Sequence, residues 1–311
     1  INIVVDHPFY YHKFLPYLPK KYIQISIDRE HEAYLRRFFP EMRRGPFMPL
    51  GGTSLWENGK FPGFNDRKYD IVFTGNYNPP TIFHEAIHRH GDEYAEFYYD
   101  IIHDLIRHPW KSMDATIMEH LNRDVEDIDE KGLKETMPNM IFIDLYVRHY
   151  FRGEVVKTLV DHGFRVHCFG SGWDQLDCQH PENIVNGNVL DSLGCLQQIS
   201  RSRLSLNVMP WFKDGAHDRV FNSMLNGAVS LSDSSRYMDE ILEDGRHFVR
   251  YGLAKLEELP SKAEQILADK EKWEYVVEQG YRMANRGHTW AHRARFLHSE
   301  ILCKIPQTML K

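Results

Sequence analysis

The sequence predicts an α/β fold built on a mostly parallel, doubly wound sheet. Short apolar runs recur at residues 70–74, 165–169, 204–209, 228–231 and 248–249, and helical stretches at 150–162, 189–200, 218–226 and 234–243 alternate with them. Strands that alternate with helices of this length imply βαβ crossovers, and a parallel sheet is covered on both faces. The 42% hydrophobic and 26% charged content is that of a globular chain. A length of 311 residues accommodates two ordinary domains.

The elements follow in order. An apolar run at 3–5 leads into Asp6-His7-Pro8. A second strand is expected at 22–27, a helix from about 30 to 39 and a third strand at 47–50. Two or three strands and one helix are too few for a complete doubly wound unit. Residues 1–62 are therefore expected to be the back part of a partial N-terminal Rossmann-like domain, with Asp6 and His7 facing a cleft. A turn-rich segment at 62–66 (P-G-F-N-D) marks the boundary. Residues 63–290 then form the second domain, interrupted by a helical insertion over 81–140. There Phe83, Ile87, Tyr94, Phe97, Tyr98, Ile101, Ile102 and Leu105 recur at helical spacing. Arg148 and Arg152, which open the helix after the insertion, are expected to be structural salt-bridge partners. Helices close the chain from about 261 to 303, and residues 291–311 are expected to form a closing helix. Trp290 and Arg293 are expected to pack back onto the first domain.

Several classes are disfavoured. A formal charge of −6 argues against a nucleic-acid backbone as the main partner. No apolar run approaches the roughly 18 residues that span a bilayer, and the first residues lack a signal-peptide pattern. Cysteines at 168, 178, 195 and 303 show no CxxC spacing and fit reduced thiols, so a cytoplasmic location is expected.

In doubly wound sheets the ligand sits at the carboxyl ends of the strands. Gly75, Asn76 and Tyr77 follow one strand, and Gly170, Ser171 and Trp173 follow the next. Glycines there admit close backbone approach, and the polar and aromatic side chains can contact sugar, phosphate or base. The most informative stretch is 207–233, N-V-M-P-W-F-K-D-G-A-H-D-R-V-F-N-S-M-L-N-G-A-V-S-L-S-D. A strand empties there into a glycine turn and a helix N-terminus, which together favour an anion. Lys213, Asp214, His217 and Arg219 around that turn suit a ligand with both phosphate and hydroxyl groups.

The segment from Pro210 to Asp233, with Tyr237-Met238-Asp239-Glu240, Glu243-Asp244-Gly245 and H-T-W-A-H-R at 288–293, resembles the donor-binding part of CgeB-like glycosyltransferases of the glycosyl transferases group 1 set. The likeness covers roughly residues 165–300. It implies a GT-B fold and a donor that is a nucleotide-diphosphate sugar, UDP type first. It also implies a glycan or protein acceptor, as part of a cell- or spore-surface glycoconjugate, and no dedicated metal or cofactor. Retaining relatives carry two glutamates as E-x7-E. Here the pattern reads D-x7-N, with Asp214 under the donor sugar and Asn222 at the ribose. The resemblance assigns Asp214, Arg219 and Lys213 to catalysis. Gly75, Asn76 and Tyr77, by their position after a strand, and Gly170, Ser171, Trp173, Asn186, Gly187, Gly215, Ala216, His217 and Asn222 are expected at the donor.

Two other readings stand beside it. His84-Glu85-Ala86-Ile87-His88 is an HExxH, the zinc-peptidase pattern, although Tyr94 stands where a third ligand would fall. A non-catalytic nucleotide-sugar-binding protein would also explain the loss of the second glutamate at Asn222.

Overall fold

The computed structural model describes residues 1–19, 21–56 and 59–304. Near the start, β1 (Asn2–Val4) pairs in parallel with β2 (Gln24–Ser26). Asp28 then caps α1 (Arg29–Phe38), its Oδ1 accepting from the Glu30 amide at 2.8 Å. The strand expected at 47–50 does not form. The Gly45 and Met48 amides reach the Gln24 and Ser26 carbonyls beside β2, but Pro46 and Pro49 lack the N–H groups that a regular ladder needs.

The second sheet begins with β3 (Tyr69–Thr74), whose Ile71, Val72 and Phe73 are fully buried. The insertion follows as α2 (His84–His88), α3 (Asp92–Arg107), α4 (Met113–Asp124) and α5 (Glu130–Thr136). It closes over the first segment: Arg37 pairs with Glu130, and the Lys134 ammonium donates to the Phe38 carbonyl. Next comes α6 (Ile141–Asp161), which starts nine residues earlier than the expected 150. Its buried positions Ile143, Val147, His149, Gly153, Val155 and Val156 lie all round the helix, so the sequence shows no one-sided stripe there.

The remaining strands are β4 (Val166–Phe169), β5 (Ile184–Gly187), β6 (Ser202–Asn207), β7 (Val229–Ser232) and β8 (Val249–Arg250). Between them run α7 (Ser192–Ile199), α8 (Asp218–Leu225) and α9 (Arg236–Ile241). All six strands are parallel, in the order β5-β4-β3-β6-β7-β8. Relative to the first strand of this sheet that is the doubly wound 3-2-1-4-5-6 order, and it places the ligand crevice between the carboxyl ends of β3 and β6.

Three helices finish the described chain: α10 (Leu259–Leu267), α11 (Lys270–Gly287) and α12 (Trp290–Glu300). The Arg293 guanidinium donates to the Leu50 carbonyl at 3.1 Å, and the Gly52 amide bonds to the His288 carbonyl at 2.8 Å. The Trp290 indole itself is exposed. Residues 305–311 of the expected closing helix lie outside the described residues. No helix among the described residues is long and apolar enough to cross a membrane.

Candidate functional site

The loops after β3 and β4 are laced together. The Gly75 amide donates to the Phe169 carbonyl and the Tyr77 amide to the Ser171 carbonyl, both at 2.9 Å. The Asn76 Oδ1 accepts from the Ser171 amide at 2.9 Å. Gly172 has φ +85°, and a Cβ there would lie 2.0 Å from the Tyr77 carbonyl oxygen. A Cβ on Gly170 would lie 2.3 Å from the Gly75 carbonyl oxygen. These glycines let two loops touch. Gly172→Ala is expected to cost about 2–5 kcal/mol, combining left-handed strain with overpacking. A urea unfolding curve that does not move would refute that reading.

Trp173 and Tyr77, both expected at the donor, are buried beneath these loops. The indole is only 1% exposed, stacks 5.2 Å from the Tyr77 ring, and donates from Nε1 to the Gly75 carbonyl at 2.8 Å. An indole so enclosed supports the loop from below and has no face left for a base. Gly187 is likewise a packing glycine, since a Cβ would meet the Phe169 ring at 2.3 Å. Asn186 beside it on β5 is exposed.

Arg219 sits at the switch point. Its Nε donates to Thr74 Oγ1 at 3.1 Å and its Nη1 to Asn207 Oδ1 at 2.6 Å, so one guanidinium ties the ends of β3 and β6. Burial holds its pKa below the usual guanidinium value. His217 caps α8, its Nδ1 accepting from the Arg219 amide at 3.1 Å and lying 2.8 Å from Asp218 Oδ1. Burial, followed by the Arg219 charge, lowers the His217 pKa.

A salt-bridge role is the sequence-based expectation for both Arg148 and Arg152. Arg148 has it, pairing with Asp144 at 2.6 Å and Asp6 at 3.7 Å. Arg152 does not. Among the described residues it forms no ion pair; its Nη1 donates to the Asn76 carbonyl at 3.1 Å and its buried Nε has no partner. Its guanidinium lies 5.3 Å from the Trp211 ring. Burial, then repulsion from Arg219 and Arg148, pushes its pKa down to about 9. Two guanidiniums thus repel each other at the switch point, and neither forms an ion pair among the described residues. Only the four-residue step from Arg148 to Arg152 on one helix could have shown this in the sequence.

The other loop residues are engaged elsewhere. The Asp214 carboxylate takes Arg29 Nη1 at 3.1 Å and Arg236 at 3.4 Å. Asn222 accepts from the Thr53 amide at 2.8 Å and donates to Asp218 at 3.1 Å. Both side chains therefore brace neighbouring segments. The half-buried Lys213 side chain donates to the Pro109 carbonyl of the insertion, and desolvation of its ammonium lowers its pKa to about 8. Gly215 passes the first segment so closely that a Cβ would lie 2.4 Å from the Ile27 carbonyl, and Ala216 is fully buried. Asp28 makes the same seam, its Oδ2 accepting the Lys213 and Asp214 amides at 3.0 Å each.

His7 is buried against His31, ring centroids 4.7 Å apart, beside a cavity of about 30 Å³. The HExxH side chains lie on the short helix α2, with the His84 and His88 rings 6.3 Å apart. No group of three or more potential metal ligands occurs among the described residues.

Residues 148–299 match the family profile described as glycosyl transferase-like. No curated protein sequence matches the chain. Among solved structures, it is similar to sucrose-phosphate synthase from Thermosynechococcus elongatus, at 12% identity and TM-score 0.50 over 91% of this chain and 59% of that one. It also matches S. aureus TarM in complex with UDP, at 9% identity and TM-score 0.48 over 88% and 43%. A third match is the pneumococcal O-GlcNAc transferase GtfA, at 10% identity and TM-score 0.47 over 93% and 46%. The chain spans less than two thirds of the length of each, and only the first likeness bears on the fold. With the switch-point sheet and the profile match together, the chain has an α/β fold of the GT-B type, and its residues 148–299 are similar to the glycosyl transferase-like family.

Proposed function

We propose that this chain transfers a sugar from a nucleotide-diphosphate donor to a hydroxyl acceptor. The observation that carries the reading is the pair Arg152 and Arg219, two cations at the switch point with no ion-pair partner among the described residues. A diphosphate supplies the missing negative charge, and the N-terminus of α8 adds its dipole. In the reaction the acceptor oxygen bonds to the sugar C1 as the C1–oxygen bond to the diphosphate breaks, the acceptor's proton passes to solvent, and charge grows on the leaving nucleoside diphosphate. Cations already fixed around that group stabilise the charge as it develops.

The remaining roles extend this reading. Asn76, Ser171 and His217 line the phosphate end, with Gly75, Gly170, Gly215 and Ala216 shaping the backbone around them. Asn186 and Gly187 flank the base. Lys213, Asp214 and Asn222 hold the loop in place, and retention of anomeric configuration follows from the family resemblance. A glycan or protein of the cell or spore surface is the acceptor, in a cytoplasmic reaction without a dedicated metal. One observation favours a second reading, nucleotide-sugar binding without turnover: both members of D-x7-N are committed to structural partners.

Calorimetric titration with UDP, GDP, dTDP and their sugar conjugates, with and without EDTA, tests the proposal. Micromolar binding insensitive to EDTA is expected, together with slow release of free sugar from the matching conjugate. Binding without any release selects the second reading, and no binding to any of them removes both.

A further inference from the structure

A second cleft, of about 380 Å³, opens between the insertion and the carboxyl ends of β6, β7 and β8. Met209, Phe212 and Tyr251 form its buried apolar floor, and Trp110 of the insertion stands at its rim, 65% exposed. Its loop is held. Lys213 binds the Pro109 carbonyl, while His108 Nδ1 and Lys111 Nζ meet the Asp104 carboxylate at 2.6 and 3.0 Å. The His108 ring also packs edge-on against the indole, centroids 5.2 Å apart. Trp110 is thus a pre-positioned platform, so a ligand stacking on it would meet little ordering cost.

The polar groups of the cleft indicate what kind of ligand fits. Asp233, 4% exposed, accepts from the Met209 amide at 2.9 Å and forms no ion pair among the described residues. The cations at the far wall are already matched: Arg250 pairs with Asp239 at 3.0 Å and Lys262 with Asp244 at 3.8 Å. Lys213 donates to the Pro109 carbonyl and forms no ion pair among the described residues, but the charge of Asp233 acts on it. A phosphate or carboxylate here would meet the Asp233 carboxyl beside that one cation, whereas no carboxylate forms an ion pair with Arg152 or Arg219 among the described residues. An exposed indole beside a hydrogen-bond-accepting carboxylate and matched ion pairs suits a neutral polyhydroxylated ring, with apolar C–H groups on one face and hydroxyls at its edge.

We infer that this cleft binds a neutral saccharide, stacked on Trp110 and hydrogen-bonded to Asp233. Its floor and wall, Met209 to Lys213, belong to the same loop that runs on to the α8 N-terminus. The saccharide is therefore the acceptor of the proposed transfer, a role that rests on the donor reading; the binding itself does not.

The test is saturation-transfer NMR with maltotriose, cellotriose and chitotriose, run beside UDP calorimetry on wild type, Trp110→Ala and Asp233→Asn. Signal is expected for at least one trisaccharide, with affinity at least tenfold weaker in Trp110→Ala and weakened in Asp233→Asn, while UDP affinity in Trp110→Ala stays at the wild-type value. Saccharide binding that depends on Trp110 in a protein that ignores UDP would keep the cleft and discard the donor reading. No signal from any of the three, or a signal indifferent to Trp110→Ala, overturns the inference whatever UDP does. Circular dichroism on each variant confirms folding; Trp110 is a surface side chain, so its removal leaves the core intact.

Discussion

Arg152→Ala is expected to weaken UDP binding by about 10- to 100-fold, the loss of one or two charge-assisted hydrogen bonds to phosphate. Removing this cation should hardly move the melting temperature, by about 2 °C or less. The reason is that, among the described residues, it leaves no ion-paired carboxylate behind and its contacts are a hydrogen bond to Asn76 and the Trp211 ring. Arg219→Ala should lose UDP affinity to a similar degree and also lower the melting temperature, because its two side-chain bonds join β3 to β6. Arg152→Lys keeps a charge but loses the planar fork and should fall between wild type and alanine. His84→Ala, an exposed position at the start of the insertion, is the control with unchanged affinity. Calorimetry and thermal melts on these four proteins separate a ligand role from a structural one. Unchanged UDP affinity in Arg152→Ala would sink the diphosphate site.

Asp28→Ala is expected to be the most damaging single change to the seam between the first segment and the 209–219 loop. It strands three amides, those of Glu30, Lys213 and Asp214. Each buried donor left unmade costs about 1–3 kcal/mol, with the helix cap included, so a loss of about 3–5 kcal/mol is expected by urea unfolding. Asp28→Asn keeps one accepting oxygen and should lose roughly half as much. The pH dependence has a definite sign. Burial, against the pull of the amides it accepts, raises the Asp28 pKa from 3.8 to about 6. A raised folded pKa means that the folded state holds the proton more tightly. The contribution from that proton is fully present below about pH 4 and is lost as pH rises through 6. The stability gap between wild type and Asp28→Asn should therefore narrow over that window. A cost under about 1 kcal/mol for Asp28→Ala would show that the seam does not depend on this residue.

Several features of this molecule are legible in the order of its residues. The alternation of strands and helices announces the parallel sheet, because βαβ units write their period into the chain. The 81–140 insertion is visible because α3 buries one face, with Tyr98, Ile101, Ile102 and Leu105 on it. The P-W-F-K-D-G-A-H-D-R segment points to an anion site because a strand, a turn and a helix N-terminus follow one another directly in sequence. What stays hidden is of another kind. The helix α6 buries side chains all round and so leaves no stripe to read. The 47–50 strand is lost to two prolines, whose missing donors outweigh their apolar neighbours.

The residue types at the crevice are set by the sequence, but their partners are not. Arg152 lies 67 residues before Arg219 in the chain, and only the β3-α6-β4 crossover brings the two charges together. Trp173 and Tyr77 look like ligand contacts because they follow strands, yet the packing of two loops, glycine against carbonyl, turns both rings inward. Asp214 and Asn222 keep the family spacing, while their hydrogen bonds go to Arg29, Arg236 and Thr53, which come from other parts of the chain. Local order fixes where a turn and a helix end fall, because it acts over a few residues. Which charge meets a counter-charge is decided only when distant segments close, since a buried ion responds to everything within a few ångströms and to nothing in the order of the chain.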